Sequence, residues 1–174
     1  LTIVTPSKWL ADLVKESYLK DYPVKVINNG IDTTLFSPTS DSFREEYGIS
    51  QEEKIVLGVS SYWDKSKGID VFIDLAEKLD DSYRIVMIGT NNSVDKLLPK
   101  RILSIHRTEN QNKLAQAYSA ADVLLNPTRE DTFPTVNIEA LACGTPVITF
   151  KTGGSVEIPD DKTGIVVPVD DIDG

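Results

Sequence analysis

One alternation constrains this chain more than anything else in it. Short runs rich in Val and Ile are separated by windows with helical spacing along most of the sequence. The runs cover 2–5, 24–28, 55–60, 84–89, 103–106, 122–126, 147–150 and 165–168, and each is too short for a helix. The helical windows cover 7–19, 69–79, 111–120 and 134–143. Val71, Phe72, Leu75, Ala76 and Leu79 share one helical face, as do Leu114, Ala117, Tyr118 and Ala121. Continuously apolar strands separated by amphipathic helices predict a parallel sheet covered on both faces, an α/β doubly wound domain. Smaller signals fit the same plan. Ser7 and Asn110 stand where helix N-caps belong. Residues 33–42 read as a loop, and 43–47 as a short helix stopped by Gly48.

Composition removes most other classes. The 174 residues are 40% apolar and suit one domain, or one domain and part of another. No apolar run is long enough to span a bilayer. A net charge of −9 argues against general nucleic-acid binding. A single cysteine, Cys143, permits no internal disulfide and fits a reducing, cytoplasmic setting. With His106 as the only histidine, no metal site is expected. The sequence opens at Leu1 inside an apolar run without a signal-peptide pattern and ends beyond Asp170-Asp171-Ile172-Asp173. It is read as a piece of a longer chain.

In an open α/β sheet a ligand crevice lies outside the carboxyl ends of the strands, so the residues after each strand carry the functional reading. Lys65 and Lys67 precede a helix whose N-terminus favours an anion. Gly89 allows close backbone approach, and Thr90 follows it. Arg107 lies in the loop after the next strand. After 122–126 come Asp131 on a loop, Pro134 fitted to a first helical turn, and Glu139 a turn further on. Carboxylates so placed can accept hydrogen bonds from a polyol, or cap and face solvent as ordinary helix residues do. Gly153-Gly154 can expose amides to an anion or turn the chain.

These motifs together resemble the donor-binding half of the glycosyltransferase group 1 family, retaining enzymes of the GT-B fold. The likeness rests on Pro6-Ser7-Lys8-Trp9, Asn29-Gly30-Ile31-Asp32 with Phe36, Lys67-Gly68-Ile69-Asp70 and Tyr118-Ser119-Ala120-Ala121-Asp122-Val123. Its most specific stretch runs from Glu130-Asp131-Thr132-Phe133-Pro134-Thr135-Val136 through Asn137-Ile138-Glu139 to Gly144-Thr145-Pro146-Val147-Ile148, followed by Gly153-Gly154.

The resemblance implies a Rossmann-like C-terminal domain over 31–174, with 1–30 a strand–helix remnant of the N-terminal acceptor domain. It implies transfer of a sugar from a nucleotide-diphosphate sugar to a glycan, lipid-linked or small-molecule acceptor. No metal or other cofactor is implied, and no nucleic acid. A cytoplasmic protein, peripheral at the inner membrane face at full length, follows from the same likeness. Asp131, Glu139 and Lys67 then form the catalytic set. The family's E-x7-E pair falls on Asp131 and Glu139, with Glu130 a possible substitute. The first acid meets the donor sugar, the second the ribose, and Lys67 the diphosphate. Lys65, Gly89, Thr90, Arg107, Glu130, Phe133, Thr135, Val136, Gly153 and Gly154 complete the donor pocket. Two departures are visible: serines at 60 and 61 where the family has an Arg, and Pro134 where it usually has Gly. The other reading is a non-catalytic doubly wound module that binds a nucleotide or a protein. The isolated fragment is expected to be inactive.

Overall fold

A computed structural model describes residues 1–39 and 42–172. Part of the loop expected over 33–42, at Ser40 and Asp41, lies outside the described residues, as does Asp173 in the acidic stretch.

Six parallel strands form the main sheet. In chain order they are β3 (Lys54–Val59), β4 (Tyr83–Ile88), β5 (Leu103–Ile105), β6 (Val123–Asn126), β7 (Val147–Phe150) and β8 (Gly164–Val167). Their spatial order is β5-β4-β3-β6-β7-β8. The chain steps outward from β3 to β5, then returns to lay β6 on the other side of β3, with Val56 beside Val123 and Leu57 beside Leu124. This is the dinucleotide-fold order, and the reversal opens a crevice beyond the ends of β3 and β6.

The central strands are buried on both faces, which is why they read as unbroken apolar runs. Ile55 and Leu57 join Val86, Tyr118, Leu124 and Ala140 in one core. Val56 joins Ile85, Met87, Phe72 and Leu125 in the other. The first core lies under α2 (Phe43–Glu46), α5 (Gln111–Ala120) and α6 (Thr135–Ala142), and the second under α3 (Ile69–Lys78). Arg44 on α2 is nearly buried, its guanidinium donating to the carbonyls of Ser50, Glu53 and Ala120 and to Asp122.

The first residues form a small two-stranded sheet of their own with one helix. β1 (Ile3–Thr5) pairs in parallel with β2 (Val24–Val26), and α1 (Lys8–Lys15) connects them. Ser7 caps α1 as expected, its Oγ accepting from the Leu10 amide. A second cap comes from far along the chain: the Glu157 carboxylate accepts from the amides of Lys8 and Trp9 at 2.9 and 2.8 Å. That tie fastens the unit to the 3-10 turn Gly153–Glu157.

Several boundaries differ from the sequence reading. The helix expected over 7–19 ends at Lys15, where the Ser17 hydroxyl donates back to the Val14 carbonyl. The strand expected over 24–28 stops at Val26. A four-residue helix, α4 (Asn92–Asp95), lies after β4 where the sequence reading marks none, capped by the Asn91 side chain.

Gly58 makes room for a ring. A Cβ there would stand 2.4 Å from Cζ of Phe72, whose side chain is fully buried against the sheet. Gly58→Ala is expected to destabilise the fold by about 1–3 kcal/mol, the usual cost of overpacking. Urea unfolding followed by circular dichroism measures it; an unchanged midpoint would show that the ring has space to move.

Candidate active site

The loop after β3 is shaped by one acid. The Asp64 carboxylate accepts from the amides of Ser66 and Lys67, closing the 3-10 turn Lys65–Lys67. Gly68 then turns the chain with φ +76°, in the left-handed region that favours glycine. A Cβ at Gly68 would meet the Pro127 carbonyl at 2.6 Å, so the turn presses directly on the loop after β6. The Arg129 amide donates to the Ser66 carbonyl at 2.8 Å and joins the two loops.

This seam sets Lys67 against Asp131. Lys67 Nζ lies 2.9 Å from Asp131 Oδ2 and 3.5 Å from Thr128 Oγ1. The two charged side chains are only 18% and 22% exposed. The Tyr62 ring lies below the ammonium, 5.8 Å from its centroid. The other Asp131 oxygen accepts from the Phe133 amide at 3.2 Å. Lys67, Asp131, Tyr62 and Phe133 line a cavity of about 260 Å3, together with Ser60, Ser61, Trp63, Asn126, Pro134, Thr135 and Val136. The N-terminus of α6 opens into it, and no side chain caps that helix end.

Glu139 stands on the next turn of α6 and lines a larger cavity of about 590 Å3. The two cavities share Val59, Ser60, Ser61 and Val136 as a common wall. Gly89, Thr90, His106 and Arg107 supply the far side. Glu139 accepts a hydrogen bond from the buried Tyr118 hydroxyl at 2.8 Å. Burial holds the Glu139 carboxyl above the usual carboxylate range, although hydrogen bonds from Tyr118 and Thr135 oppose this. The same burial, with the nearby Glu139 charge, drives the Tyr118 hydroxyl far above its ordinary value. Gly89, with φ +88°, cannot carry a side chain, since a Cβ would stand 1.6 Å from the Ser60 carbonyl oxygen.

The crevice therefore brings together Lys67, Asp131, Phe133, Thr135 and Val136 in one cavity and Glu139, Gly89, Thr90 and Arg107 in its neighbour. Neither wall includes Lys65, Glu130, Gly153 or Gly154. Lys65 instead offers its carbonyl to the Arg129 guanidinium, and Glu130 is exposed. The paired glycines serve close packing: a Cβ at either would stand 1.9 Å from a carbonyl oxygen of Asp131 or Thr132. The Gly154 amide is used by the Asp131 carbonyl. The two helix starts near the cavity, those of α3 and α6, differ in their free amides. At α3 the Ile69 amide is taken by the Asp64 carbonyl, whereas the free helix end facing the cavity belongs to α6. Arg129, on the adjoining loop, does not stand in for the family's Arg beside Lys67: it lines neither cavity and is held by Asp70 at 2.9 and 3.0 Å and by Asp170. Sequence reading missed two contributors. Tyr118 reads as a core residue from its helical spacing, and Asn126 as the last residue of a strand. An Asn at a strand's carboxyl end is the signal that could have found the second.

The sequence profile of the glycosyl transferases group 1 matches residues 53–174. The chain is 30% identical over 159 residues to the D-inositol 3-phosphate glycosyltransferase of Mycobacteroides abscessus, an alignment covering 83% of this chain and 35% of that protein. The chain belongs to the glycosyl transferases group 1 family. Its fold is the Rossmann-like C-terminal half of a GT-B glycosyltransferase. Sucrose-phosphate synthase from Thermosynechococcus elongatus superposes with a TM-score of 0.84 at 26% identity, over 98% of this chain and 46% of that one. Anabaena HepE in complex with UDP and glucose gives 0.79 at 21% identity, over 96% and 49%. The chain spans less than half the length of the curated relatives it matches. Among the described residues no helix is long and apolar enough to cross a membrane.

Burial of Glu139 makes stability depend on pH. A carboxyl whose folded value is raised stabilises the fold while protonated, and that contribution is lost as pH rises through the folded value. Glu139→Gln stays neutral and escapes the loss. Its melting temperature relative to wild type should therefore rise between about pH 4 and pH 7. Thermal unfolding across that range tests this; a constant difference would show that Glu139 ionises without penalty.

Proposed function

We propose that this chain is the donor half of a retaining glycosyltransferase, which transfers a sugar from a nucleotide-diphosphate sugar to an acceptor bound by another domain. The observation that carries the reading is the shared crevice at the sheet's reversal: Lys67 and Arg107, the acids Asp131 and Glu139 and an uncapped helix end face adjoining cavities there. Lys67 and the first amides of α6 hold the diphosphate. The helix end is in place before the substrate arrives and Lys67 is held at the cavity wall by Asp131, so the charge that develops on the leaving group meets groups already positioned for it. Asp131 accepts hydrogen bonds from hydroxyls of the donor sugar, and Glu139 from those of the ribose. The Gly89–Thr90 and Arg107 side receives the base. The helix end and Lys67 carry the phosphate charge, so the reaction proceeds without a metal. The leaving phosphate takes the acceptor's proton on the face where the sugar is attacked. Residues 1–30 belong with the acceptor domain, and 31–174 form the donor domain. The whole enzyme works in the cytoplasm, at the membrane face where its acceptor is lipid-linked.

Ser60 and Ser61, in place of a guanidinium, leave Lys67 as the one side-chain cation on the first cavity wall. That observation favours a second reading, a nucleotide-binding module without transfer activity. Turnover of a nucleotide-sugar panel by the full-length protein separates the two.

Calorimetry of this chain with UDP, GDP and ADP tests the binding claim. One of them is expected to bind, and Lys67→Ala should weaken it by about 1–3 kcal/mol, the scale of a lost charge-assisted hydrogen bond. No binding of any of the three at millimolar concentration would overturn the reading. An unchanged affinity in Lys67→Ala would remove Lys67 from the site.

A further inference from the structure

The Asp131 carboxylate sits where an anion would sit. One oxygen takes the Lys67 ammonium at 2.9 Å, and the other takes the Phe133 amide at 3.2 Å, next to the uncapped start of α6. An ammonium, a backbone N–H and a helix end are the groups that bind a phosphate oxygen. Asp131 is thus a carboxylate already seated on part of a phosphate-binding surface, inside the cavity that both residues line. Any incoming phosphate must share Lys67 with it, at a distance where like charges repel.

We infer that Asp131 is a built-in counter-anion, which makes the site favour an intact nucleotide sugar over the free nucleoside diphosphate. This rests on the reading that the site takes a nucleotide sugar. A terminal phosphate carries about −1.5 to −2 at pH 7, whereas a phosphate esterified on both sides carries a single charge. The free diphosphate therefore meets more repulsion from Asp131 than the intact donor does. The donor also brings sugar hydroxyls, which donate to the carboxylate and offset its lost contact with Lys67. The product has nothing to offer in their place. Asp131 thereby holds the sugar before transfer and helps expel the diphosphate after it.

The test uses this chain and two variants. Asp131→Asn removes the charge and keeps an acceptor for the Phe133 amide; Asp131→Ala removes both. Retained dispersion in an amide proton spectrum establishes that each is folded. Calorimetry then measures inorganic pyrophosphate, UDP, GDP, ADP and the matching nucleotide-glucose compounds. Both variants should bind pyrophosphate about tenfold tighter than wild type, the effect of removing one partly screened like charge. They should gain less, or lose, for the nucleotide sugar. Adding Lys67→Gln to Asp131→Asn should cancel the gain. Pyrophosphate affinity that is unchanged, weaker or undetectable in both variants overturns the inference. If pyrophosphate tightens and no nucleotide binds, the counter-anion stands and the nucleotide-sugar reading fails.

Discussion

Everything in the crevice depends on how closely two loops approach at the centre of the sheet. β3 and β6 are neighbours in space but lie far apart in sequence, and each delivers a loop to the same place. Gly68 lets the first loop press on Pro127 of the second, and the Arg129 amide locks onto Ser66. A Cβ at Gly68 would stand 2.6 Å from the Pro127 carbonyl oxygen, so one of the two loops would have to shift. The ion pair of Lys67 with Asp131 is partly buried, so it is screened less than a surface pair. Its value lies in holding a cation ready at one position. It is not a main source of stability, because burying both charges costs about as much as their attraction returns.

The same economy governs the acid on α6. Glu139 is half-buried under a wall of strand ends and is fastened by Tyr118 from α5. A carboxyl in that position is costly to ionise, and a hydroxyl-rich ligand that donated to it would lower the cost. Ligand binding and ionisation therefore support one another. Asp131 has other partners, the Lys67 ammonium on one oxygen and the Phe133 amide on the other. Two acids eight positions apart thus enter the crevice in different electrostatic conditions, and this follows from what each is packed against.

How much of this is legible in sequence varies with the physics involved. The central strands of the main sheet are legible because burial on both faces leaves an unbroken apolar run, as in residues 55–59 and 85–88. The order of the strands is legible only through the rule for doubly wound sheets. α4 is not, because four residues hold barely one helical turn and its formation rests on the Asn91 cap. At the site, Lys67, Asp131 and Glu139 stand after strands, where solvated loop and helix residues also stand, and it is the family resemblance that singles them out. Lys65 is not separable from Lys67 by spacing, and only the packing of the 3-10 turn shows which one enters the cavity. Gly153 and Gly154 are legible as glycines that matter, but their reason, contact with the 131–132 carbonyls, lies in residues about twenty positions away. The bond between Tyr118 and Glu139 has the same character, because it joins two helices that only the folded sheet brings together.

The central claim is that a nucleotide-linked sugar docks where β3 and β6 end. The most direct measurement is a titration of the isotopically labelled chain with the nucleotide it binds, following backbone amide shifts. The account predicts that the largest changes fall on Ser60, Ser61, Gly89, Thr90, Thr135 and Val136. Shifts gathered instead around the apolar groove of Val71, Leu75, Leu125 and Ile148, on the α3 side of the sheet, would contradict it.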